Sequence, residues 1–177
     1  MIKIDSVRRI ISKRLGEPDY LMMDIVAPLY WWDSFNYVID NHFGNGVTLM
    51  RRLPINPFDL SDFSCEELLD EKINCDNHML GIFGSTQEFD TSSKAILLSL
   101  CDVLNYYRVK AIETRDSKYI RQIVTLIPYS YNQRCTISFT KHSLTRVYDH
   151  AKQATDSDWL TFYTLLTDLN KCKEFLL

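Results

Sequence analysis

"YLMMDIVAPLYWWDSFNYVID", residues 20–40, is the stretch that decides the predicted fold. Its first nine residues are almost continuously apolar, which predicts a strand buried on both faces. Asp24 interrupts this run, so it needs a hydrogen-bonding partner or a position at the edge of the sheet. Pro28 lacks an amide hydrogen and therefore suits the first position of a helix over residues 28–40. A buried strand that leads into an aromatic helix indicates an α+β fold.

The helix that begins at Pro28 would present two different faces. Trp31 and Trp32 lie about 100° apart around a helix axis, so at least one of them reaches a boundary or an interface. We interpret Tyr30, Trp31 and Tyr37 as exposed aromatic side chains that bind a partner; ordinary packing is the alternative interpretation for all three. The face toward the core would hold Leu29, Trp32, Phe35, Asn36 and Ile39.

Apolar residues at helical spacing, together with capping residues, predict six more helices. The first begins at Asp5 or Ser6 and ends at Gly16. The longest, over residues 91–113, would be the central helix of the fold. The others cover residues 64–73, 116–127, 141–152 and 157–169, the last of them capped by Asp156.

Between these elements lies one long irregular stretch, residues 41–62, which is rich in Gly, Asn, Pro, Asp and Ser. Farther along, Cys135, Ile137 and Phe139 alternate with polar residues and predict a half-buried strand. The sequence contains no repeat and no linker. It therefore predicts a helix-rich α+β fold with a small sheet, organised as a single domain over residues 1–177.

Composition limits the classes of protein to which this chain can belong. With 177 residues, of which 46% are apolar, it has the size of one compact domain. The formal net charge of −3 argues against general nucleic-acid binding, which needs an excess of clustered Lys and Arg. No apolar run is long enough to span a membrane, and the opening MIKIDSVRR lacks the apolar segment of a secretory signal. We therefore expect a cytoplasmic protein.

The cysteines and histidines are interpreted as structural residues. Five cysteines are widely spaced without a C-x-x-C pair, which is typical of buried thiols. The four histidines are scattered, and His142 and His150 lie too far apart for two metal ligands on adjacent helical turns. We expect no metal site.

Four stretches, in this order and spacing, resemble a known family: APLYWWDSFNYV, VTLMRRL, IPYSYNQRCTISFTKHSLTRVYDHAK and SDWLTFYTLLTDL. They are similar to small phage and prophage proteins that are distant relatives of the flavin-dependent thymidylate synthases, and they span most of residues 20–170. The resemblance implies the fold of that family and assembly into a homo-oligomer, since each family site is shared among subunits. It also implies FAD and dUMP as ligands, whose phosphates are held by Arg and His side chains.

The chain departs from the family at this phosphate-binding motif. The family's Arg-His-Arg falls on Tyr37, Val38 and Ile39, none of which donates a charge-assisted hydrogen bond. We therefore expect no catalytic residue and no cofactor, and we predict a noncatalytic binding or inhibitory protein of phage type that acts on a host or defence protein in the host cytoplasm. The excess of acidic over basic residues and the aromatic face near Trp31 favour a basic protein partner, such as a nucleic-acid enzyme.

The alternative is a flavin-dependent enzyme that acts on a pyrimidine nucleotide such as dUMP, with FAD as its cofactor and a rearranged phosphate clamp. Arg51 and Arg52 would then hold the phosphates, because a planar guanidinium group donates two hydrogen bonds to an anion. The neighbouring candidates for the same site are His42, Asn45 and Thr48. A turn formed by Asn and Gly, with solvated arginines, is the simpler interpretation of this loop.

Overall fold

The computed structural model describes residues 2–11, 19–39, 56–65, 72–75 and 89–176, with backbone alone at 72–75 and 89–91. The chain divides into two compact units, Met1–Arg51 with Pro128–Leu177, and Arg52–Ile127. Within the described part, six α-helices and a three-stranded antiparallel sheet establish the α+β class. The thymidylate-synthase-like fold and the single domain stay predictions of the sequence.

In chain order the elements are β1 (Lys3–Ile10), β2 (Tyr20–Pro28), α1 (Leu29–Val38), a 3₁₀ helix (Leu60–Asp62), β3 (Lys72–Cys75), β4 (Phe89–Ser92), α2 (Ser93–Thr114), α3 (Ser117–Leu126), β5 (Asn132–Phe139), α4 (Lys141–Gln153), α5 (Ser157–Asp168) and α6 (Asn170–Leu176).

The first unit is built on a sheet of order β1–β2–β5, in which β2 is antiparallel to both neighbours. Burial alternates along β2: Leu21, Met23, Ile25 and Ala27 are buried, and the residues between them are half-buried. The four helices described in this unit, α1, α4, α5 and α6, contribute side chains to the same hydrophobic cluster as these buried residues. The prediction of a strand buried on both faces is therefore wrong, because the helices cover one face.

Asp24 lies on the other face of β2, opposite Ser6 of β1 and Thr136 of β5. Its carboxylate accepts hydrogen bonds from Ser6 Oγ at 2.6 Å and from Thr136 Oγ1 at 2.5 Å. The Arg8 guanidinium lies 3.8 Å away. The predicted need for a partner is thus met on the central strand, and no edge position is required.

β1 lies where the sequence predicts the start of a helix over residues 5–15, and that prediction is wrong for the described residues. Ile4 and Val7 both pack against the hydrophobic cluster. A bulge between Ile4 and Ser6 shifts the alternation by one residue, which hides the period of two that marks a strand. Ile10, near the end of this strand, is exposed. The rest of the predicted helix lies outside the described residues.

α1 begins at Leu29, one residue later than predicted, since Pro28 is still extended, with φ −67° and ψ 154°, and pairs with Asn132. Trp32, Phe35 and Ile39 are buried as predicted. On the same predicted face Leu29 is half-buried and Asn36 is exposed.

Trp31 is the residue of α1 for which the predicted exposure is wrong. Its side chain is only 1% exposed. The ring centroids of Phe35, Trp159 and Phe162 lie 4.8, 5.0 and 5.0 Å from the centroid of Trp31. Because α5 supplies two of these rings, packing of α5 against α1 is what buries Trp31.

The three indole N–H groups of this cluster differ in their hydrogen bonding. Trp32 donates to the Gln133 carbonyl oxygen at 3.0 Å, and Trp159 donates to Ser34 Oγ at 3.1 Å. The indole nitrogen of Trp31 has no acceptor among the described residues. Two of the three tryptophans therefore tie elements together through polar contacts as well as apolar ones.

The predicted strand and the two predicted helices in the C-terminal part of this unit are confirmed as β5, α4 and α5. Asp156 caps α5 by accepting hydrogen bonds from the backbone N–H groups of Asp158 and Trp159, as the sequence predicts. α6 was not predicted from the sequence; its Cys172 and Phe175 are buried in the cluster.

In the second unit α2 and α3 pack against each other. α2 confirms the predicted helix over residues 91–113, and its N-cap Ser92 accepts a hydrogen bond from the Ala95 N–H at 3.2 Å. α3 confirms the helix after Asp116, whose carboxylate caps it. The apolar residues of α2 are only partly buried, since Cys101 and Leu104 are buried whereas Ile96 and Val103 are exposed.

Asn105 of α2 holds the segment around Phe58. Its side chain accepts a hydrogen bond from the Phe58 N–H at 2.8 Å and donates one to the Phe58 carbonyl oxygen at 2.9 Å. Phe58 and Phe63 are both buried. Between them Asp59 and Asp62 form a capping box around the 3₁₀ helix, so part of the predicted 41–62 loop is locally ordered.

β3 and β4 form an antiparallel pair, with Lys72 opposite Ser92. The helix predicted over residues 64–73 is therefore wrong at Lys72 and Ile73, which belong to β3. A strand of four residues carries too little pattern to be recognised without its partner. The central part of that predicted helix lies outside the described residues.

Cys101, Cys135 and Cys172 are buried, as the sequence predicts, whereas Cys65 is half-buried; these four described cysteines are free thiols. Among the described residues no group of His, Cys, Asp and Glu side chains is arranged to hold a metal ion. No helix in the described ranges is long and apolar enough to cross a membrane.

Candidate functional site

The candidate residues for binding a nucleotide or flavin are His42, Asn45, Thr48, Arg51 and Arg52, and all five lie outside the described residues. The candidates for binding a partner are described. Tyr30 and Tyr37 are exposed, as predicted, and Trp31 is buried beneath them.

The outer face of α1 carries Tyr30, Asp33 and Tyr37, at helical spacings of three and four residues. These spacings place the three side chains on one side of the helix. Tyr37 is 87% exposed and Tyr30 is 43% exposed. α1 thus buries one aromatic face in the cluster and exposes a second one.

The turn after α3 brings a third tyrosine to this face. The Tyr30 N–H donates to the Tyr129 carbonyl oxygen at 3.2 Å, and the Leu29 N–H donates to the Tyr131 carbonyl oxygen at 3.0 Å. A further backbone bond, from the Tyr131 N–H to the Pro128 carbonyl oxygen at 3.0 Å, closes the turn itself. The first turn of α1 and the turn at residues 128–131 are therefore held together by backbone hydrogen bonds.

The Tyr129 side chain is 64% exposed, and its hydroxyl donates a hydrogen bond to the Asp33 carboxylate. This hydrogen bond, together with the negative charge of Asp33, raises the pKa of Tyr129 above its ordinary value. The Tyr129 hydroxyl is thus a hydrogen-bond donor to this carboxylate.

A second tyrosine–carboxylate pair is formed across α1 and α5. The Tyr30 hydroxyl donates to Asp158 Oδ2 at 2.7 Å. Asp158 lies in the first turn of α5, whose position is fixed by the Asp156 cap and by the hydrogen bond from Trp159 to Ser34. Each carboxylate thus accepts one hydrogen bond from a tyrosine. Its remaining lone pairs can accept hydrogen bonds from a further donor.

We call Tyr30, Asp33, Tyr37, Tyr129 and Asp158 the tyrosine–carboxylate surface. It offers three exposed aromatic side chains and two oriented negative charges on the first unit. Such a surface suits a cation that carries several N–H donors on a planar group, because that group can lie on an aromatic ring and also bind a carboxylate.

The sequence alone identified Tyr30 and Tyr37 in this surface and missed Asp33, Tyr129 and Asp158. Asp33 could have been predicted from the sequence, since it lies three residues after Tyr30 and four before Tyr37 on the same helix. Tyr129 and Asp158 join the surface only through tertiary contacts, for which the sequence carries no local signal.

No protein-family model, no curated protein and no solved structure was found to match this chain.

Proposed function

We propose that this chain is a noncatalytic binding protein whose tyrosine–carboxylate surface binds an arginine-rich segment of a protein partner. The observation that carries the proposal is the pairing of exposed tyrosines with carboxylates, Tyr30 with Asp158 and Tyr129 with Asp33. Tyrosine is enriched among the residues that dominate binding energy at interfaces. Its hydrogen bonds here fix the carboxylates before a partner arrives, which reduces the entropy lost on binding.

The chemistry of the surface favours arginine over lysine. A guanidinium group binds a carboxylate through two parallel N–H groups and stacks on a tyrosine ring, whereas an ammonium group is a compact point charge. The formal net charge of −3 attracts such a partner over a distance and raises its association rate. A basic nucleic-acid enzyme is one class of protein that meets these requirements.

The resemblance to phage relatives of the thymidylate synthases extends the proposal to an inhibitor of a host or defence protein. What supports the noncatalytic part is Tyr37, which takes the place of the first arginine in the family motif and is 87% exposed. An exposed tyrosine at this position contributes contact area to a partner and no positive charge to a phosphate.

The direct test is the binding of short fluorescent peptides, followed by fluorescence anisotropy at several salt concentrations. One peptide alternates Arg with Ser, a second replaces Arg with Lys, and a third replaces Arg with Glu. We expect the Arg peptide to bind most tightly and the Glu peptide not at all. Tyr37→Ala and Asp158→Asn should each weaken Arg-peptide binding about tenfold, which corresponds to about 1.4 kcal/mol.

Two variants serve as controls. Tyr37→Phe keeps the ring and should bind nearly as well as the unmodified protein. Asp168→Asn removes an exposed carboxylate at the far end of α5, about 15 Å along the helix from Asp158, and should leave binding unchanged. Equal affinity for all three peptides, or equal losses in Asp158→Asn and Asp168→Asn, would contradict the proposal. A native mass spectrum that retained FAD or dUMP would contradict its noncatalytic part.

A further inference from the structure

The outward face of α2 in the second unit is self-complementary about Tyr106. The residues three, four and seven positions before and after Tyr106 lie on the same side of the helix. We call this set the Tyr106 face; it consists of Ser99, Asp102, Val103, Tyr106, Val109, Lys110 and Glu113.

The Tyr106 face lies opposite the buried side of the helix, which holds Cys101, Leu104 and Ala111. Tyr106 is 57% exposed, and Val103 and Val109 on either side of it are exposed as well. A helix with apolar residues on both its buried and its outward side is typical of one that is covered by a further element.

Two copies of α2 that cross in antiparallel fashion at Tyr106 bring each residue before Tyr106 opposite the residue equally far after it. Asp102 then faces Lys110 of the second copy, and the symmetry repeats this pair on the other side of the axis. Asp102 forms no ion pair in the part of the chain that the structure describes. Lys110 donates to the exposed Glu113 carboxylate of its own helix at 3.0 Å, and its ammonium group has further N–H donors for Asp102 of the second copy.

The apolar residues obey the same symmetry. Val103 faces Val109 of the second copy twice, and the two Tyr106 rings meet at the axis. The whole face, from Ser99 to Glu113, spans about 21 Å of helix. One surface thus supplies both members of each charged pair and both members of each apolar pair, which is the property of an interface between identical chains.

From this symmetry we propose that the chain forms a homodimer through α2, with the helices antiparallel and crossing at Tyr106. The residues that carry this inference are different from those of the tyrosine–carboxylate surface. Either proposal can therefore fail without the other.

The experiment is sedimentation velocity of the full chain over a wide range of protein concentration. The unmodified chain, of 20.8 kDa, should sediment as a dimer at the higher concentrations. Asp102→Lys places two lysines opposite each other at both ends of the interface, and Lys110→Asp does the same with two carboxylates. Each single variant should raise the dimer dissociation constant about tenfold or more, because like charges then face each other twice.

Two further samples separate loss of the interface from loss of the fold. The double variant Asp102→Lys with Lys110→Asp restores both opposite-charge pairs and should dimerise with an affinity close to that of the unmodified chain. A mixture of the two single variants should also dimerise, since each variant supplies the charge that the other has lost. Arg121→Asp, a similar charge change on the exposed side of α3, should leave the dimer unchanged.

Several results would overturn the proposal. A monomer at every concentration would exclude a dimer, and single variants that remain dimeric would exclude this face. Single variants that stay monomeric both on mixing and in the double variant would exclude the antiparallel crossing at Tyr106.

Discussion

Asp24 lies on the central strand of the three-stranded sheet, where Ser6 of one neighbouring strand and Thr136 of the other donate to its carboxylate at 2.6 and 2.5 Å. A slip of either strand by one residue would move its hydroxyl to the opposite face of the sheet, because side chains alternate with a period of two. A slip of β2 itself would place the carboxylate among the buried apolar residues. The Asp24 side chain therefore favours the observed register over registers in which a strand is shifted by one residue.

We predict that Asp24→Ala lowers the free energy of unfolding by roughly 1 to 3 kcal/mol, the range for losing hydrogen bonds to a charged acceptor. Urea unfolding followed by far-ultraviolet circular dichroism measures this change. The matched control is Asp168→Ala, at an exposed carboxylate that accepts no described hydrogen bond, and its effect should stay within about 0.5 kcal/mol. Similar stability of both variants would show that Asp24 does not hold the sheet together.

At the scale of elements, the sequence predicted those structures whose signals are local. The helices α2 to α5 follow capping residues such as Ser92, Asp116 and Asp156, and β2 and β5 follow from their apolar residues. β1 was mistaken for a helix because a bulge breaks its alternation and because pairing with β2, a distant contact, decides its conformation. β3, β4 and α6 were missed because elements of four to seven residues contain too few positions to establish a period.

The contact between α2 and the Phe58 segment leads to a prediction at this scale. Asn105→Ala removes both hydrogen bonds to the Phe58 backbone, at 2.8 and 2.9 Å, and leaves a part-buried N–H and carbonyl without that partner. Amide hydrogen exchange in residues 56–63, measured by mass spectrometry, should become at least about tenfold faster. Ile112→Ala, an exposed position on the same helix, should leave exchange in this segment unchanged. Unchanged exchange in Asn105→Ala would mean that apolar burial of Phe58 alone holds the segment.

At the scale of the whole molecule, the candidate site shows the limit of local information. Tyr30 and Tyr37 were predicted because they share a helix face, whereas Tyr129 and Asp158 come from segments about a hundred residues or more away in the sequence. Trp31 was placed wrongly because its burial depends on α5, which packs against α1 only in the folded chain. The resemblance predicts a homo-oligomer without specifying an interface. The proposed dimer assigns that interface to α2.

The stability of the first unit, which buries Cys172, should depend on pH through this residue. Burial raises the pKa of this thiol from its ordinary value of 9.0 to about 11. In the unfolded chain the thiol ionises once the pH exceeds 9.0, while in the folded chain it stays neutral, so stability present below pH 9 is lost as the pH rises to about 11. A shift of this size corresponds to roughly 2 to 3 kcal/mol.

Because tyrosines and lysines titrate in the same range, the informative quantity is the difference between the unmodified chain and Cys172→Ala. We expect the alanine variant to be less stable at neutral pH and to lose less stability on going from pH 9 to pH 11. Unfolding in urea at a series of pH values measures both. Parallel pH profiles for the two proteins would contradict a buried thiol that stays neutral.

The arrangement of the three indole groups has a spectroscopic consequence. The chain contains no other tryptophan, and all three lie in the first unit. In a proton NMR spectrum the indole N–H signals of Trp32 and Trp159 should be shifted downfield by their hydrogen bonds. The signal of Trp31, which has no described acceptor and is surrounded by aromatic rings, should be shifted upfield by their ring currents. Three resolved indole N–H resonances would then show that the first unit is folded, without isotopic labelling. The second unit contains no tryptophan and therefore adds no indole signal to this region of the spectrum.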